Sequence, residues 1–200
     1  MFNRPGGRSK GVTLIEMMIV VVLLAILSAL AAPSLFELII RNRLDTTIND
    51  FVTTLSLARS EAIRRGTNVV VRRAAGSTLQ EWTKGWEVFQ DTNGNNLRDT
   101  GEELILIGQA INAPLTLWSS RNTQDHVAFR PSGAAAEDKP YIFALCYGSV
   151  LVSADGRPRS RGIMVIGLSG RIRSATPNEA GKLIKDTATG TAEVTSCTSP

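Results

Sequence analysis

Gly170-Arg171-Ile172-Arg173 is the segment in which residue type and spacing carry the sharpest chemistry. Ser169-Gly170 before it suits a hairpin turn. Arginines at i and i+2 on a following strand point to one face, where two guanidinium forks can grip successive phosphates. Contacts of that kind ignore base sequence and weaken with salt. Arg157, Arg159 and Arg161 would widen the patch, and between 157 and 185, with Lys182 and Lys185 added, only Glu179 opposes them. The plainer reading is a hairpin with solvated arginines or a protein contact.

A second constellation lies in the acidic stretch from Glu87 to Leu104. Asp91, Asn93, Asn95, Asp99 and Glu102 occupy positions 1, 3, 5, 9 and 12 of an EF-hand-like loop, with the Leu97 carbonyl available between them. Calcium is the ion such oxygens would take. Asn96 stands where glycine usually makes the sharp turn, although asparagine tolerates that left-handed conformation better than most residues. Arg98 replaces the usual apolar residue, no helices flank the loop, and a turn between two strands explains Asn93-Gly94-Asn95-Asn96 without any ion. Enzyme chemistry is absent from the pattern. His126 has no nucleophile motif around it, and there is no Gly-x-Ser-x-Gly, phosphate loop or zinc spacing. We therefore expect no catalysis, no small-molecule substrate and no cofactor apart from the calcium reading. Trp82, Trp86 and Trp118 could stack on bases, but core packing is the commoner role.

The elements that must position these residues follow from an uneven hydropathy. Hydrophobic residues are 43% and charged ones 20%, yet Val12 to Phe36 holds a single charge, Glu16. That excludes a plain soluble globule, and two cysteines exclude a disulfide scaffold. The run is long enough for a bilayer, for which about 20 residues suffice. Ala29 to Ala32 mimics a signal cleavage site, but the pattern continues without a polar spacer, so we read a retained helix. Arg4, Arg8 and Lys10 precede it and supply three of the formal +4, which puts the N-terminus in the cytoplasm and the polar domain outside. A carboxylate one turn inside such a helix costs about 2.5–3.5 kcal/mol, so Glu16 needs a partner or a job unless it lies solvated at the interface.

The helical period continues through Leu44, Ile48, Phe51, Val52, Leu55, Ala58 and Ala62, with Arg43, Asn49, Asp50 and Arg59 elsewhere. Arg64 and Arg65 before Gly66 close it. From Val12 to Arg65 such a helix would be roughly 80 Å long, and Pro33 with Ser34 should kink or locally melt it. After Thr67 the period becomes 2. Strands are predicted at 68–72, 86–90, 103–107, 115–118, 126–129, 141–146 and 162–168, with Ile172 continuing after Ser169-Gly170. The expectation is α+β: one long helix packed on antiparallel sheet, with no second long helix. With the domain in an oxidising compartment, a Cys146–Cys197 bridge is favoured over free thiols. It would close a loop of about 50 residues, worth about 4 kcal/mol in the chain-entropy account.

Lys10-Gly11-Val12-Thr13-Leu14-Ile15-Glu16, followed by Met-Met-Ile-Val-Val-Val-Leu-Leu-Ala-Ile-Leu and by Pro33, resembles the class III signal of type IV pilins and type II secretion pseudopilins. Arg59-x-Glu61-Ala62, Asp91-x-Asn93 with Gly101-Glu102-Glu103, Phe129-x-Pro131-x-Gly133 and Ser169-Gly170-Arg171-x-Arg173 look like the GspH/FimT branch, whose helix is followed by a β-rich domain. The resemblance implies cleavage by a prepilin peptidase between Gly11 and Val12, N-methylation of the Val12 amine, and pairing of Glu16 with that amine on a neighbouring subunit. Val12 departs from the usual phenylalanine. It divides the chain into a cytoplasmic leader (1–11), a transmembrane and assembly half-helix (12–36), an amphipathic half-helix (37–66) and a periplasmic domain (67–200). The protein would be held in a bacterial inner membrane by a single pass and assembled into a filament with other pilins. In FimT-like members the Gly-Arg-x-Arg motif is associated with DNA binding during transformation, which maps here to Gly170, Arg171 and Arg173 and makes double-stranded DNA an expected partner. The alternatives are a pilin-to-pilin contact at that motif and a type II secretion pseudopilin of the protein H type, meeting other pseudopilins or secreted cargo.

Overall fold

The computed structural model describes residues 11–77, 80–119, 125–138, 140–167, 169–176 and 197. The leader up to Lys10, Leu168, the charges Glu179, Lys182 and Lys185, and the tail from Thr187 other than Cys197 lie outside the described residues. The chain divides into two compact units, Met1–Ile39 and Ile40–Pro200.

Helix α1 (Leu14–Arg65) opens in the first unit. The Thr13 hydroxyl oxygen accepts the Glu16 N–H at 3.3 Å. Thr13 is therefore the N-cap, and Thr13-Leu14-Ile15-Glu16 has the spacing of a capping box. The apolar side chains from Val12 to Ile39 are largely exposed, and the helix is long and apolar enough to cross a membrane. Pro33 sits inside α1 without ending it, so the expected local melting does not occur. The proline ring fixes φ near the helical value and its main cost is a missing N–H, which one turn can lose while the turns on either side stay bonded.

In the second unit Leu44, Ile48, Phe51, Thr54, Leu55, Ala58 and Ala62 form the buried stripe of α1, spaced three and four apart as the sequence predicts. Val52 is only half-buried, and Thr54 is buried with its hydroxyl satisfied by donation to the Asp50 carbonyl at 3.0 Å. Gly66 ends the helix at φ +66, with its N–H on the Ala62 carbonyl.

Eight strands follow: β1 (Asn68–Arg73), β2 (Trp86–Asp91), β3 (Leu104–Gly108), β4 (Leu115–Ser119), β5 (His126–Phe129), β6 (Tyr141–Tyr147), β7 (Ser160–Ile166) and β8 (Arg171–Ala175). The sequence places the ends of β1 to β7 within two residues of those observed, and for β8 it marks only Ile172. The expected sheet is in fact two antiparallel four-stranded sheets, ordered β3-β2-β1-β5 and β4-β6-β7-β8. Both present alternate apolar residues to one core with the α1 stripe, Val69, Val71 and Phe129 from the first and Phe143, Leu145, Ile163 and Val165 from the second. At its centre Phe51 packs edge-to-face on Trp82, Trp86 and Phe143, with centroids 5.8, 4.7 and 4.9 Å away. Trp82 and Trp86 are thus core residues rather than bases' stacking partners.

β6 is buried on both faces except at Tyr147. Its far side carries Ile142, Ala144 and Cys146, covered by Leu151, Met164 and Cys197. Cys146 and Cys197 form the expected disulfide, spanning a sequence separation of 51.

The C-terminal turn of α1 is tied to the first sheet by charge. Glu61 accepts from Arg64 and from Arg65 Nε, and Arg65 donates through two nitrogens to Glu103, next to β3. The hydrogen bonds from Arg64 and then Arg65 pull the Glu61 carboxyl down to about 2, and Arg65 lowers that of Glu103. A carboxyl depressed by folding stabilises the fold above its ordinary value and loses that contribution as pH falls through its folded value. Melting temperatures of the wild type and Glu61→Gln should therefore differ at neutral pH and converge as pH falls from about 4.5 to about 2, the range between the ordinary and folded values. A gap that stays constant across that range contradicts this account of the network.

Candidate nucleic-acid interface

β7 and β8 pair through Ile166↔Arg171, Val165↔Ile172 and Met164↔Arg173. Residues directly opposite in an antiparallel pair share a face. Val165 and Ile172 pack into the core under α1. Arg171 and Arg173 take the other face, with Met164 and Ile166, and both are exposed. β8 ends the sheet order, so the two arginines stand on an edge strand.

The turn that delivers them is fixed by two glycines and a helix arginine. Gly170 has φ +61, and its N–H donates to the Ile166 carbonyl at 2.7 Å. A Cβ on Gly170 would lie 2.0 Å from the Gly133 carbonyl oxygen, so no side chain fits. Gly133, φ +78, closes the turn after β5, and a Cβ there would strike Ile63 of α1 at 2.8 Å. Into this contact α1 sends Arg59. Its Nε donates to the Gly133 carbonyl at 2.8 Å and its Nη2 to the Ser169 carbonyl at 3.0 Å. The Ala135 N–H adds a bond to the Gly167 carbonyl at 2.9 Å. Three sequence-distant motifs, at Arg59, Phe129-x-Pro131-x-Gly133 and Ser169-Gly170, thereby meet at one point.

Sequence reading left Arg59 off the packing face with no role. The available signal was its position one residue after Ala58 on the flank of the apolar stripe, together with glycines at 133 and 170 that a helix could only approach closely.

Arg161 does not join the pair. Arg161 alternates with Ile163 and Val165 on the α1 side of the sheet, where its Nε is bound to Asp45 at 2.6 Å. Arg159 lies over the Tyr147 ring, 5.6 Å from its centroid. Arg157 is 3.1 Å from Asp155. For Arg161 this corrects the broad patch read from sequence: one residue of β-strand alternation reverses the face.

The acidic loop joins β2 to β3 and is knotted by its own hydrogen bonds. Asp91 is buried and accepts the N–H groups of Gly94, Asn95 and Asn96 at 2.8, 3.2 and 3.1 Å. Asn96 has φ +60, the left-handed turn expected of it. Asn93 and Asn95 donate to Asp99, Asn95 accepts the Leu97 N–H, and Glu102 accepts from Thr92 and Asp99. The Asp99 and then the Thr92 N–H hold the Glu102 carboxyl below the usual range. Among the described residues no three His, Cys, Asp or Glu are grouped so as to hold a metal ion. His126 begins β5 with Nδ1 2.8 Å from Asp125, whose other oxygen accepts from Arg72.

A long capped apolar helix, its second half packed on antiparallel sheet, defines a pilin-type, membrane-anchored protein. The family model described as type II transport protein GspH matches residues 47–169, and the prokaryotic N-terminal methylation motif matches 7–32. The pilin-like protein PilA1 of Thermus thermophilus is 31% identical over 158 residues, 75% of this chain and 97% of that protein. The chain belongs to the GspH family of pilin-like proteins. Among solved structures, the type IV minor pilin FimU of Pseudomonas aeruginosa shares the fold at 20% identity and TM-score 0.51, covering 72% of this chain and 95% of FimU. The minor pseudopilin EpsH of Vibrio cholerae gives 14% and 0.45 over 67% and 97%.

The clamp makes a stability prediction. Arg59→Met removes two hydrogen bonds from a charged donor and should cost about 2–4 kcal/mol of unfolding free energy, since such bonds are worth about 1.5–3 each and do not simply add. An unchanged melting midpoint would show that the turns hold themselves.

Proposed function

We propose that this protein is a non-catalytic minor pilin that binds double-stranded DNA through Arg171 and Arg173 after assembly into a type IV pilus-like filament. The observation that carries the reading is the pair of exposed arginines two residues apart on edge strand β8, aimed by a turn with no room for a side chain at Gly170. Two guanidinium groups on one face suit phosphate contacts, which position a duplex without reading its bases.

Before assembly the chain is held in the bacterial inner membrane, with its leader in the cytoplasm and its β domain in the periplasm. A prepilin peptidase cuts between Gly11 and Val12, and the Val12 amine is methylated. Glu16 then pairs with that amine on a neighbouring subunit, removing two unpaired charges from an apolar filament interior. Its partners are the peptidase, other pilins and DNA. Support comes from the methylation motif over 7–32 and from the family match.

The test is duplex binding by the detergent-solubilised full chain at two salt concentrations, beside the Arg171→Ala, Arg173→Ala double variant. Wild-type binding should weaken with salt, and the variant should lose about tenfold in affinity and about two units of salt slope, near one unit per phosphate contact. No binding by the wild type would move the reading to a type II secretion pseudopilin whose domain meets other pseudopilins or cargo.

A further inference from the structure

Beside the β8 edge lies an open groove of about 380 Å³ between α1 and β8, lined by Ser56, Arg59, Ser60, Ile63, Arg171 and Ile172. Its chemistry is one-sided. No carboxylate lines it, and Glu61, the nearest acid on the helix, is held by Arg64 and Arg65. Arg59 spends its hydrogen bonds on two neutral carbonyl oxygens, so its positive charge meets no carboxylate among the described residues. Arg171 is exposed, and among the described residues its guanidinium has no acidic partner. Two guanidinium charges without a carboxylate partner among the described residues therefore border one groove.

The helix wall adds donors. Ser56 and Ser60 are one turn apart and exposed, their hydroxyls donating to the Val52 and Leu57 carbonyls at 2.8 Å. Those bonds are dispensable, because helix carbonyls are already served by backbone N–H groups. Either hydroxyl can rotate outward to donate to a phosphate oxygen. Ile63 and Ile172 supply apolar contact of the kind a sugar edge would meet.

We propose that this groove is a second phosphate-binding track, in which Ser56 and Ser60 of α1 and the field of Arg59 hold the DNA backbone beyond its contact with Arg171. The proposal rests on the DNA-binding reading and extends the site from β8 onto the helix. Arg171 stands at the junction, on the outer face by its strand register and at the groove by its position on the edge.

Full-length chain in detergent would be titrated with duplex DNA in four forms: wild type, Ser56→Asp with Ser60→Asp, Ser56→Ala with Ser60→Ala, and Thr46→Asp. Thr46 is an exposed α1 residue outside the groove and controls for added charge. At about 0.1 M salt the aspartate pair should weaken binding by about tenfold or more, the alanine pair by about threefold, and Thr46→Asp by less than twofold, since the Debye length there is about 10 Å and ten helical residues set Thr46 roughly 15 Å from Ser56. Melting temperatures taken beside the titrations identify any loss due to unfolding, and the exposed alanine pair keeps the test open should the aspartates destabilise the helix. An alanine pair that binds as wild type, with an aspartate pair no weaker than Thr46→Asp, overturns the groove while leaving Arg171 and Arg173 as the site. Wild-type protein that fails to bind DNA overturns both readings.

Discussion

Arg59 reaches from the helix to the carbonyl oxygens of Gly133 and Ser169, and the direction of the β8 arginines depends on that reach. A guanidinium is a planar fork with several donors, so it can hold two carbonyls from different turns at once, which lysine's single ammonium does with less geometric control. The contact is possible because Gly170 brings its backbone against Gly133 without a Cβ. A bond from a charged donor to a buried carbonyl is among the stronger hydrogen bonds available. It sits between the large core under α1 and the exposed edge of the second sheet, and couples the stable part of the molecule to its reactive edge.

Much of this was legible in the sequence because it is periodic. The stripe from Leu44 to Ala62 has the helical period, each strand shows a period of 2, and Gly66 after Arg64-Arg65 marks the helix end. Arg171 and Arg173 on one face also follow directly from that period. What was not legible depends on contacts between distant segments. No local pattern says that Arg59 meets Gly133 and Ser169, or that Arg161 binds Asp45 instead of joining the β8 pair. Nor does the sequence reveal that the strands divide into two sheets, since hairpin signals specify neighbours but not where a sheet ends. Thr13 and Glu16 are a different case: the capping-box spacing is local, and the residue that stands as a lone charge in an apolar run also gives its backbone N–H to the cap.

The distribution of charge divides labour across the domain. Acidic side chains of the β2–β3 loop are turned on their own backbone N–H groups, which shapes that loop. Arg65, Arg72 and Arg161 are each bound to a carboxylate and hold elements together. Arg59 and Arg171 differ in having no carboxylate partner among the described residues, and they are adjacent at one groove. A net charge near neutral from Val12 onward therefore conceals a local positive field, and local fields rather than net charge steer polyanions.

The central claim is that the edge and groove around Gly170 form the DNA-facing surface. It is tested most directly by backbone hydrogen exchange of the full chain in detergent, with and without duplex DNA. The account predicts slowed exchange confined to residues 169–174 and to the α1 turns carrying Ser56 and Ser60. Protection centred instead on the 91–103 loop, or none at DNA concentrations that saturate binding, would contradict it.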